Sequence, residues 1–366
     1  MGPGPSDVYP EVLEALGRPT VGHLDPYFID LMDETKELLK YAFRTKNQLT
    51  MPVSAPGSAG METCLMNLIE PGDTCVVCVN GVFGGRMRDI VERIGGTAVV
   101  VEDDWGKPVD VQKVEDALKQ HSDAKYVAFV HAETSTGARS DARELVALAH
   151  TYDCLAIVDA VTSLGGIELQ VDEWEIDAIY SGSQKCLSCI PGISPVSFSE
   201  RALEVVQKRS SKVKSWFLDV NLVTQYWGSG KSRSYHHTAP VNSIYALNQS
   251  LRILKAEGIE NAWKRHHENH LKLKDGLEEL GLEFAVEESH RLPQLNAVRP
   301  PDGIDEAAVR RQLLDEHNIE IGAGLGALAG KTWRIGLMGY ASRQENIDKL
   351  LKALRQVLST RQATAG

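Results

Sequence analysis

Cysteine, basic residues and long apolar runs are all scarce in this sequence, and each scarcity excludes a class of protein. Six cysteines among 366 residues are too few for a scaffold built on disulfides. Lysine and arginine total 39 against 50 acidic residues, and the net charge of −11 speaks against binding to nucleic acid or to an anionic membrane. Since no stretch approaches about 18 uninterrupted apolar residues, we expect no membrane span.

The amino terminus lacks the features of a secretory signal. It begins MGPGPSDVYPEVLEAL, which has neither a basic head nor an apolar run. We therefore expect a cytoplasmic protein.

Four of the cysteines form two C-x-x-C pairs, a spacing that suggests zinc. One pair, Cys75 and Cys78, lies in the apolar segment TCVVCVN, which predicts a strand. Residues three apart on a strand point to opposite faces, so they chelate one metal poorly. We expect these cysteines, and Cys186 and Cys189 as well, to be small packing residues, and we expect no metal site.

Short apolar runs alternate with amphipathic helical patterns from residue 74 onward. This alternation indicates βαβ units, and hence an α/β fold with a mainly parallel sheet. The predicted strands cover 74–79, 97–102, 125–131, 154–159, IDAIYS and PVSFS, and the predicted helices between the first four cover 84–95, 110–121 and 141–152.

The last third of the chain has a different pattern. Long helical stretches extend from about 242 to 280, and short strand-like segments then alternate with helices at 305–317 and 342–358. A chain of 366 residues favours about two domains. We predict an amino-terminal arm over 1–15, a large domain over 16–255 and a smaller α+β domain over 256–366.

Ligands of open parallel sheets bind beyond the carboxyl ends of the strands, and several polar features fall there or at a helix start. Residues 57–59, Gly-Ser-Ala, open an apolar-periodic helix whose free N–H groups suit a phosphate, although most such starts are simple caps. Phe83 follows strand 74–79 and could stack on a flat ligand or pack in the core. Thr134 follows strand 125–131; its hydroxyl could bind a ligand, or the residue could simply belong to a turn.

Two charged residues complete this set. Asp159 ends an apolar strand, where a carboxylate is costly unless it meets a positive group or caps a turn. Lys185 follows another strand, a position where a lone lysine is usually a solvated surface charge. Taken together, a phosphate cradle, a stacking ring, a hydroxyl, a carboxylate and an amine along one sheet edge are the parts of a pyridoxal phosphate site. In such a site the lysine forms the Schiff base and the aspartate keeps the pyridine nitrogen protonated.

The combination of motifs resembles the class V aminotransferases, in particular the alanine–glyoxylate, serine–pyruvate and serine–glyoxylate aminotransferase family. The resemblance spans nearly the whole chain, in the family's order. It rests on GPGPS (2–6), NGVFGGR (80–86), HAETSTG (131–137), VDAVTSLGG (158–166), SGSQK (181–185), YHHTAP (235–240) and WRIGLMG (333–339).

This resemblance implies pyridoxal phosphate as cofactor and fold type I, a mainly parallel seven-stranded sheet with a smaller carboxyl-terminal domain. Lys185 would be the Schiff-base lysine and Asp159 the partner of the pyridine nitrogen. The other implied cofactor contacts are Gly57, Ser58, Ala59 and Gln184 at the phosphate, Thr134 at the ring's phenolic oxygen, and Val161 and Phe83 on the two ring faces. Phe83 stands where the family commonly has Trp or Tyr, so it can stack without donating a hydrogen bond.

The resemblance also implies a homodimer, because Tyr235 and Thr238 would reach the phosphate of the neighbouring subunit. Arg334 would clamp the substrate carboxylate through two hydrogen bonds, and Gly4 would lie at the substrate. Arg299, Arg310 and Arg343 could also enter the pocket. With a single clamp, we expect alanine or serine as amino donor and glyoxylate or pyruvate as acceptor.

Several alternatives stay open. A class V enzyme with another donor, such as ureidoglycine, pyridoxamine or an aminophosphonate, would use the same lysine and aspartate, as would a pyridoxal phosphate lyase. Cysteine desulfuration needs a nucleophilic cysteine in the carboxyl-terminal part, but no cysteine lies beyond Cys189. A zinc or redox module would leave the other motifs unexplained.

Overall fold

Strands and helices alternate along most of the chain. The computed structural model describes residues 1–228 and 233–365. Its helices are α1 (Pro10–Leu16), α2 (Pro26–Phe43), α3 (Gly57–Leu68), α4 (Val82–Ile94), α5 (Val111–Gln120), α6 (Ala142–Thr151), α7 (Glu200–Gln207), α8 (Val220–Trp227), α9 (Val241–Glu257), α10 (Ile259–Glu279), α11 (Glu306–His317) and α12 (Gln344–Ala365). Its strands are β1 (Leu49–Val53), β2 (Thr74–Val79), β3 (Thr97–Glu102), β4 (Ala124–Val130), β5 (Ala132–Glu133), β6 (Ala138–Arg139), β7 (Leu155–Asp159), β8 (Ala178–Tyr180), β9 (Ser194–Phe198), β10 (Glu283–Phe284), β11 (Leu295–Arg299), β12 (Gly322–Ala323) and β13 (Trp333–Gly336).

The main sheet has seven strands in the order β1-β9-β8-β7-β4-β2-β3. The four pairings from β8 to β3 are parallel, and β9 runs antiparallel to both of its neighbours, β8 and β1. The predicted α/β fold with a mainly parallel seven-stranded sheet is therefore confirmed. β1 was not predicted; it is an edge strand that contains Pro52, a residue that sheets tolerate chiefly at their edges.

The chain order reverses next to β2, since β3 lies on one side of it and β4 on the other. Such a switch point leaves a crevice beyond the carboxyl ends of the strands. The segments that follow β2, β4, β7 and β8 all leave the sheet at this end because these strands are parallel. The topology therefore brings Phe83, Thr134, Asp159 and Lys185 to one edge.

The two larger sheets each pack against an apolar core of their own. The larger core lies against both faces of the main sheet, and the smaller one contains Trp333 and Ile335 of β13 together with Leu350 of α12. The smaller sheet has the order β10-β11-β13-β12. α9 and the first turn of α10, with Ala262, pack in the larger core, whereas Leu273 of α10 packs in the smaller one. The domain boundary at 255/256 stays a prediction.

One segment differs from the sequence-based expectation. Residues 1–15, predicted as an arm, include the start of α1, whose Val12 and Ala15 are fully buried because the helix packs against α9. The helical stretches predicted over 242–280 are two helices, α9 and α10, separated at Gly258, whose φ of +87° favours glycine.

All six cysteines are free and buried, and burial raises the pKa of the Cys75 and Cys78 thiols. Within the described ranges, no group of three or more His, Cys, Asp or Glu side chains could hold a metal ion. In the same part of the chain, none of the helices combines the length and the apolar character needed to cross a membrane.

Candidate active site

Lys185 lies in the loop between β8 and β9 and is only 9% exposed. Its Nζ donates to the carbonyl oxygen of Pro3. Ser6 fastens this amino-terminal segment, because its Oγ donates to the Lys185 carbonyl at 2.7 Å and its N–H donates to the Gln184 carbonyl at 2.8 Å. Burial, together with the nearby charge of Arg334, lowers the pKa of the Lys185 amine to about 8. Roughly a tenth of this amine is therefore neutral and nucleophilic at pH 7.

Asp159 is the last residue of β7 and is almost completely buried. Its Oδ1 accepts from the backbone N–H of Val161 at 2.8 Å, and its Oδ2 accepts from the Tyr180 hydroxyl at 2.6 Å. Burial raises the pKa of the Asp159 carboxyl to about 7, and Glu133 adds to the rise, whereas the bond from Tyr180 opposes it. A carboxyl in this state favours a cationic partner such as a protonated pyridine nitrogen.

The first turn of α3 has no side-chain cap, because Pro56 stands at the N-cap position. The N–H of Ala59 donates to the Pro56 carbonyl at 2.7 Å, while those of Gly57 and Ser58 have no acceptor within the helix. Unpaired N–H groups at the positive end of a helix dipole suit a phosphate.

Close packing joins this turn to its neighbours. A Cβ at Gly57 would lie 3.4 Å from Cγ2 of Val161, so the helix start and Val161 are in near contact. Ser58 Oγ accepts from Arg86 Nη1 at 3.0 Å, and the Arg86 guanidinium lies over the Phe83 ring, 5.1 Å from its centroid. The predicted phosphate-binding residues and the predicted ring-stacking residue are therefore linked through one side chain.

Phe83 lies in the first turn of α4 and is held by the loop that follows β4. Its backbone N–H donates to Glu133 Oε2 at 3.2 Å, and the N–H of Val82 donates to Ser135 Oγ at 3.0 Å. Thr134, between Glu133 and Ser135, is almost fully buried. The structure thus brings the predicted stacking residue close to the predicted partner of the phenolic oxygen.

Arg334 lies on β13 and is 9% exposed. Its Nε donates to the Ala323 carbonyl at 2.7 Å, and its Nη1 donates to the Thr134 carbonyl at 3.1 Å. Within the described part of the chain, Nη2 has no hydrogen-bond partner. The guanidinium is therefore oriented by two carbonyls and still presents its outer edge to a carboxylate.

Gly4, the predicted substrate contact, lies against the Lys185 side chain. A Cβ at Gly4 would lie 2.7 Å from Lys185 Cδ, and its φ of +98° is one that favours glycine. Gln184, the residue before Lys185, has a buried Oε1 without a partner in the described ranges. An orphaned amide group of this kind is expected where a polar ligand binds.

Tyr235 and Thr238 do not join this cluster within the chain. Tyr235 is 60% exposed, its hydroxyl lies 3.3 Å from Thr238 Oγ1, and its ring lies 5.0 Å from the ring of His23. No contact of the described residues connects this pair to Lys185.

The residues present fit pyridoxal phosphate. An uncapped helix start suits its phosphate, the buried carboxyl of Asp159 suits its ring nitrogen, and the Lys185 amine suits its aldehyde. The buried Gln184 amide supplies an unpaired polar atom beside that lysine.

Three residues of the site were missed by sequence reasoning. Tyr180 stands at the end of an apolar strand, and only the parallel register of β7 with β8 places it beside Asp159. Glu133 lies in HAETSTG and Arg86 in NGVFGGR, but no spacing or neighbouring residue in these motifs indicated a role for either side chain. A carboxylate directly after a buried strand, as in Glu133, is a signal that could have been used.

Comparison with known proteins agrees with this geometry. The family model described as aminotransferase class-V matches residues 6–350. The alanine–glyoxylate aminotransferase of Rattus norvegicus is 41% identical over 360 residues, which cover 98% of this chain and 87% of the rat protein. The (S)-ureidoglycine–glyoxylate transaminase of Bacillus subtilis is 37% identical, with 98% of this chain and 90% of that protein covered.

A solved structure extends the likeness to the backbone. The crystal structure of the alanine–glyoxylate aminotransferase from Nostoc sp. superposes with a TM-score of 0.95 and 48% identity, covering 98% of this chain and 94% of that one. With the family model, the relatives and the site in agreement, this chain belongs to the class-V aminotransferases and is a pyridoxal phosphate-dependent transaminase.

Proposed function

We propose that this transaminase moves the amino group of a small neutral amino acid, alanine or serine, to a small 2-oxo acid, glyoxylate or pyruvate. The observation that carries the donor class is the single oriented guanidinium of Arg334, bonded to the carbonyls of Thr134 and Ala323. The names of the rat, Nostoc and Bacillus subtilis proteins all include glyoxylate, which supports it as the acceptor.

The cofactor, when bound, supplies an electron-accepting ring that makes the α-proton of an attached amino acid acidic. Lys185 is placed to hold the aldehyde and then to move a proton at the substrate α-carbon, and its lowered pKa leaves part of the amine unprotonated. Asp159 holds a proton on the ring nitrogen through its carboxylate, which Tyr180 and the Val161 N–H orient. Phe83 and Val161 would pack on the bound ring and exclude water from it.

The Arg334 guanidinium binds one carboxylate of the substrate. With Nε and Nη1 each bonded to a carbonyl, the Nη1–Nη2 edge of Arg334 receives the α-carboxylate in a two-point contact. The three other arginines that the sequence left open are engaged elsewhere or exposed. Arg310 bonds Glu306 at 2.7 Å, Arg343 lies 3.9 Å over the Tyr340 ring, and Arg299 is exposed. We therefore expect a second carboxylate on the donor to meet no cation that is oriented as Arg334 is.

Half-reaction rates decide the donor class. The holoenzyme is mixed with alanine, serine, aspartate or glutamate, and the loss of the cofactor's visible absorbance is followed. We expect alanine and serine to convert the cofactor at least about tenfold faster than either dicarboxylate, because an unpaired buried carboxylate costs about 1–3 kcal/mol or more. Faster conversion by aspartate or glutamate would refute the single-clamp proposal. Ureidoglycine belongs in the same series, since the Bacillus subtilis relative is named for it.

We also propose a homodimer in which each site is completed by Tyr235 and Thr238 of the partner subunit. Tyr235 is 60% exposed and Trp216, which stacks on His236 at 4.3 Å, is 62% exposed. Two large exposed aromatic rings, related through His236, which follows Tyr235 in the chain, support an interface that covers them. A cytoplasmic location stays a prediction from the sequence.

A further inference from the structure

Glu133 is a fully buried carboxylate to which the reaction described above gives no role. Its Oε1 accepts from the Ser135 N–H at 3.0 Å and from the Ser135 hydroxyl at 2.6 Å, and its Oε2 accepts from the Phe83 N–H at 3.2 Å. Among the described residues it forms no ion pair. A buried carboxylate without a cation costs several kcal/mol, unless fixed N–H and O–H dipoles stabilise it.

The hydrogen bonds of Glu133 belong to a compact connection between two elements. Ser135 Oγ donates to Glu133 and also accepts from the N–H of Val82, so two separate bonds tie the loop after β4 to the first turn of α4. Gly81 precedes that turn, and a Cβ there would overlap the Glu133 side chain. The carboxylate therefore fills the space between the loop and the helix start with little freedom to move.

The loop held in this way carries contacts in two further directions. Thr134, flanked by Glu133 and Ser135, is the predicted partner of the ring's phenolic oxygen, and its carbonyl accepts from Arg334 Nη1 at 3.1 Å. Phe83, held through its N–H, is the predicted stacking residue. The buried Glu133 carboxylate is therefore connected to Phe83, to Thr134 and, through the Thr134 carbonyl, to Arg334.

We propose that Glu133 is a positioning residue, whose buried carboxylate fixes the separation of Phe83 and Thr134 around the cofactor ring and, through the Thr134 carbonyl, orients Arg334. The part that concerns Arg334 rests on the proposed function. The alternative is that Glu133 only caps α4 and contributes stability to the fold.

Glu133→Gln tests the difference. Glutamine has nearly the same shape, but its amide NH2 replaces one acceptor and must face the N–H of Phe83 or the donors of Ser135. We expect the apoenzyme of this variant to bind pyridoxal phosphate at least about tenfold more weakly, because the new amide NH2 would face the N–H of Phe83 or the donors of Ser135 without an acceptor between them. The dissociation constant is measured by quenching of tryptophan fluorescence, and the circular dichroism of the bound cofactor reports the ring's surroundings. We also expect a higher KM for alanine with a smaller change in kcat.

Asp177→Asn is the matched control. Asp177 is also buried and accepts from the Ala156 N–H at 2.9 Å, but it stands at the opposite, amino end of β8, beside His150. We expect this control to lower the melting temperature while leaving the cofactor dissociation constant within about twofold of wild type. The same outcome for Glu133→Gln, lower stability with unchanged affinity and dichroism, would overturn the proposal.

Ser135→Ala keeps the test decisive if Glu133→Gln does not fold. It removes the acceptor for Val82 and one donor to Glu133, and we expect about threefold to tenfold weaker cofactor binding. Unchanged affinity in Ser135→Ala would also count against positioning. Because cofactor binding is measured without substrate, failure of the proposed amino donor leaves this comparison intact.

Discussion

Burial, more than any single neighbour, sets the protonation of Lys185 and Asp159, the two residues proposed to act on opposite ends of the cofactor. It is the leading cause of the lowered pKa of Lys185, about 8, and of the raised pKa of Asp159, about 7. Both shifts favour the neutral form of a group inside a low-dielectric pocket. The Lys185 amine, which is partly neutral, can attack an aldehyde. The Asp159 carboxyl, whose pKa is close to neutral pH, loses its proton readily when a pyridinium cation lies beside it.

Replacement of Lys185 by alanine is expected to abolish turnover while the fold persists, because both the covalent link and the proton carrier disappear. Borohydride reduction of the wild-type holoenzyme should fix the cofactor to a peptide that contains Lys185. Lys185→Arg is the control, since it keeps a cation at the Pro3 carbonyl but cannot form the link. A labelled peptide without Lys185 would show that the assignment is wrong.

Tyr180→Phe removes the 2.6 Å hydrogen bond to Asp159. Because this bond favours the charged carboxylate and lowers the pKa, its loss should raise the pKa of Asp159 further above about 7. Binding through the ring nitrogen needs the carboxylate, so affinity is lost as the pH falls through that pKa. We expect the pH at which affinity falls to be higher in the variant.

Pyridoxamine phosphate is the ligand for this measurement, because it has no aldehyde and forms no covalent link to Lys185, whose free amine titrates in the variant and in the wild type alike. Its phosphate titrates equally with both proteins, so the difference between variant and wild type isolates Asp159. Tyr126→Phe is the matched control, since that buried hydroxyl donates to the Leu68 carbonyl at 2.7 Å instead of to the site. An unchanged pH profile in Tyr180→Phe would contradict the assigned role.

At the scale of elements, the amino-terminal segment that precedes α1 acts as one wall of the site. It is tied to the loop of Lys185 through Ser6 and to β13 through the Gly336 N–H, which donates to the Met1 carbonyl at 2.8 Å. Gly4 stands between these ties with a φ of +98°. Because the segment is held on both sides of residue 4, it can pass this close to the Lys185 side chain only if residue 4 has no side chain.

Gly4→Ala is therefore expected to displace the Lys185 side chain and reduce kcat by about tenfold or more. The physical reason is twofold: the new Cβ would lie 2.7 Å from Lys185 Cδ, and an L-residue is strained at positive φ. Gly2→Ala is the control, because a Cβ there would be 3.6 Å from its nearest neighbour, Glu320 Cδ. Steady-state rates of the two variants check the prediction, and equal rates would contradict it.

The elements show why some of the site could be predicted from the sequence and some could not. The placement of Asp159 and Lys185 at one edge of the sheet could be predicted because Asp159 ends one apolar strand and Lys185 follows another, and the ends of parallel strands meet at one edge. Tyr180 could not, since its place beside Asp159 depends on the register between two strands far apart in the chain. α1 was missed because glycine and proline before it suggested an arm, whereas burial of Val12 and Ala15 stabilises the helix.

For the whole molecule, the placement of Tyr235 and Thr238 decides whether one chain can make a complete site. The rings of Tyr235 itself and of Trp216 are exposed, and neither Tyr235 nor Thr238 contacts Lys185 within the described chain. If they serve the partner subunit, the Lys185 and Tyr235–Thr238 functions can be supplied by different chains. A hybrid dimer separates this from a self-contained site.

We expect a hybrid of a Lys185→Ala chain and a Tyr235→Phe/Thr238→Ala chain to regain activity. With a different tag on each chain, tandem purification isolates the hybrid, and sharing places all the lesions in one site and none in the other. About half of the wild-type activity per dimer should then return, measured at limiting cofactor, because one of the two symmetric sites is intact. The two parent homodimers, purified in the same way, are the controls. If each site used only its own chain, both sites of the hybrid would carry a lesion, and its activity would not exceed the mean of the parents.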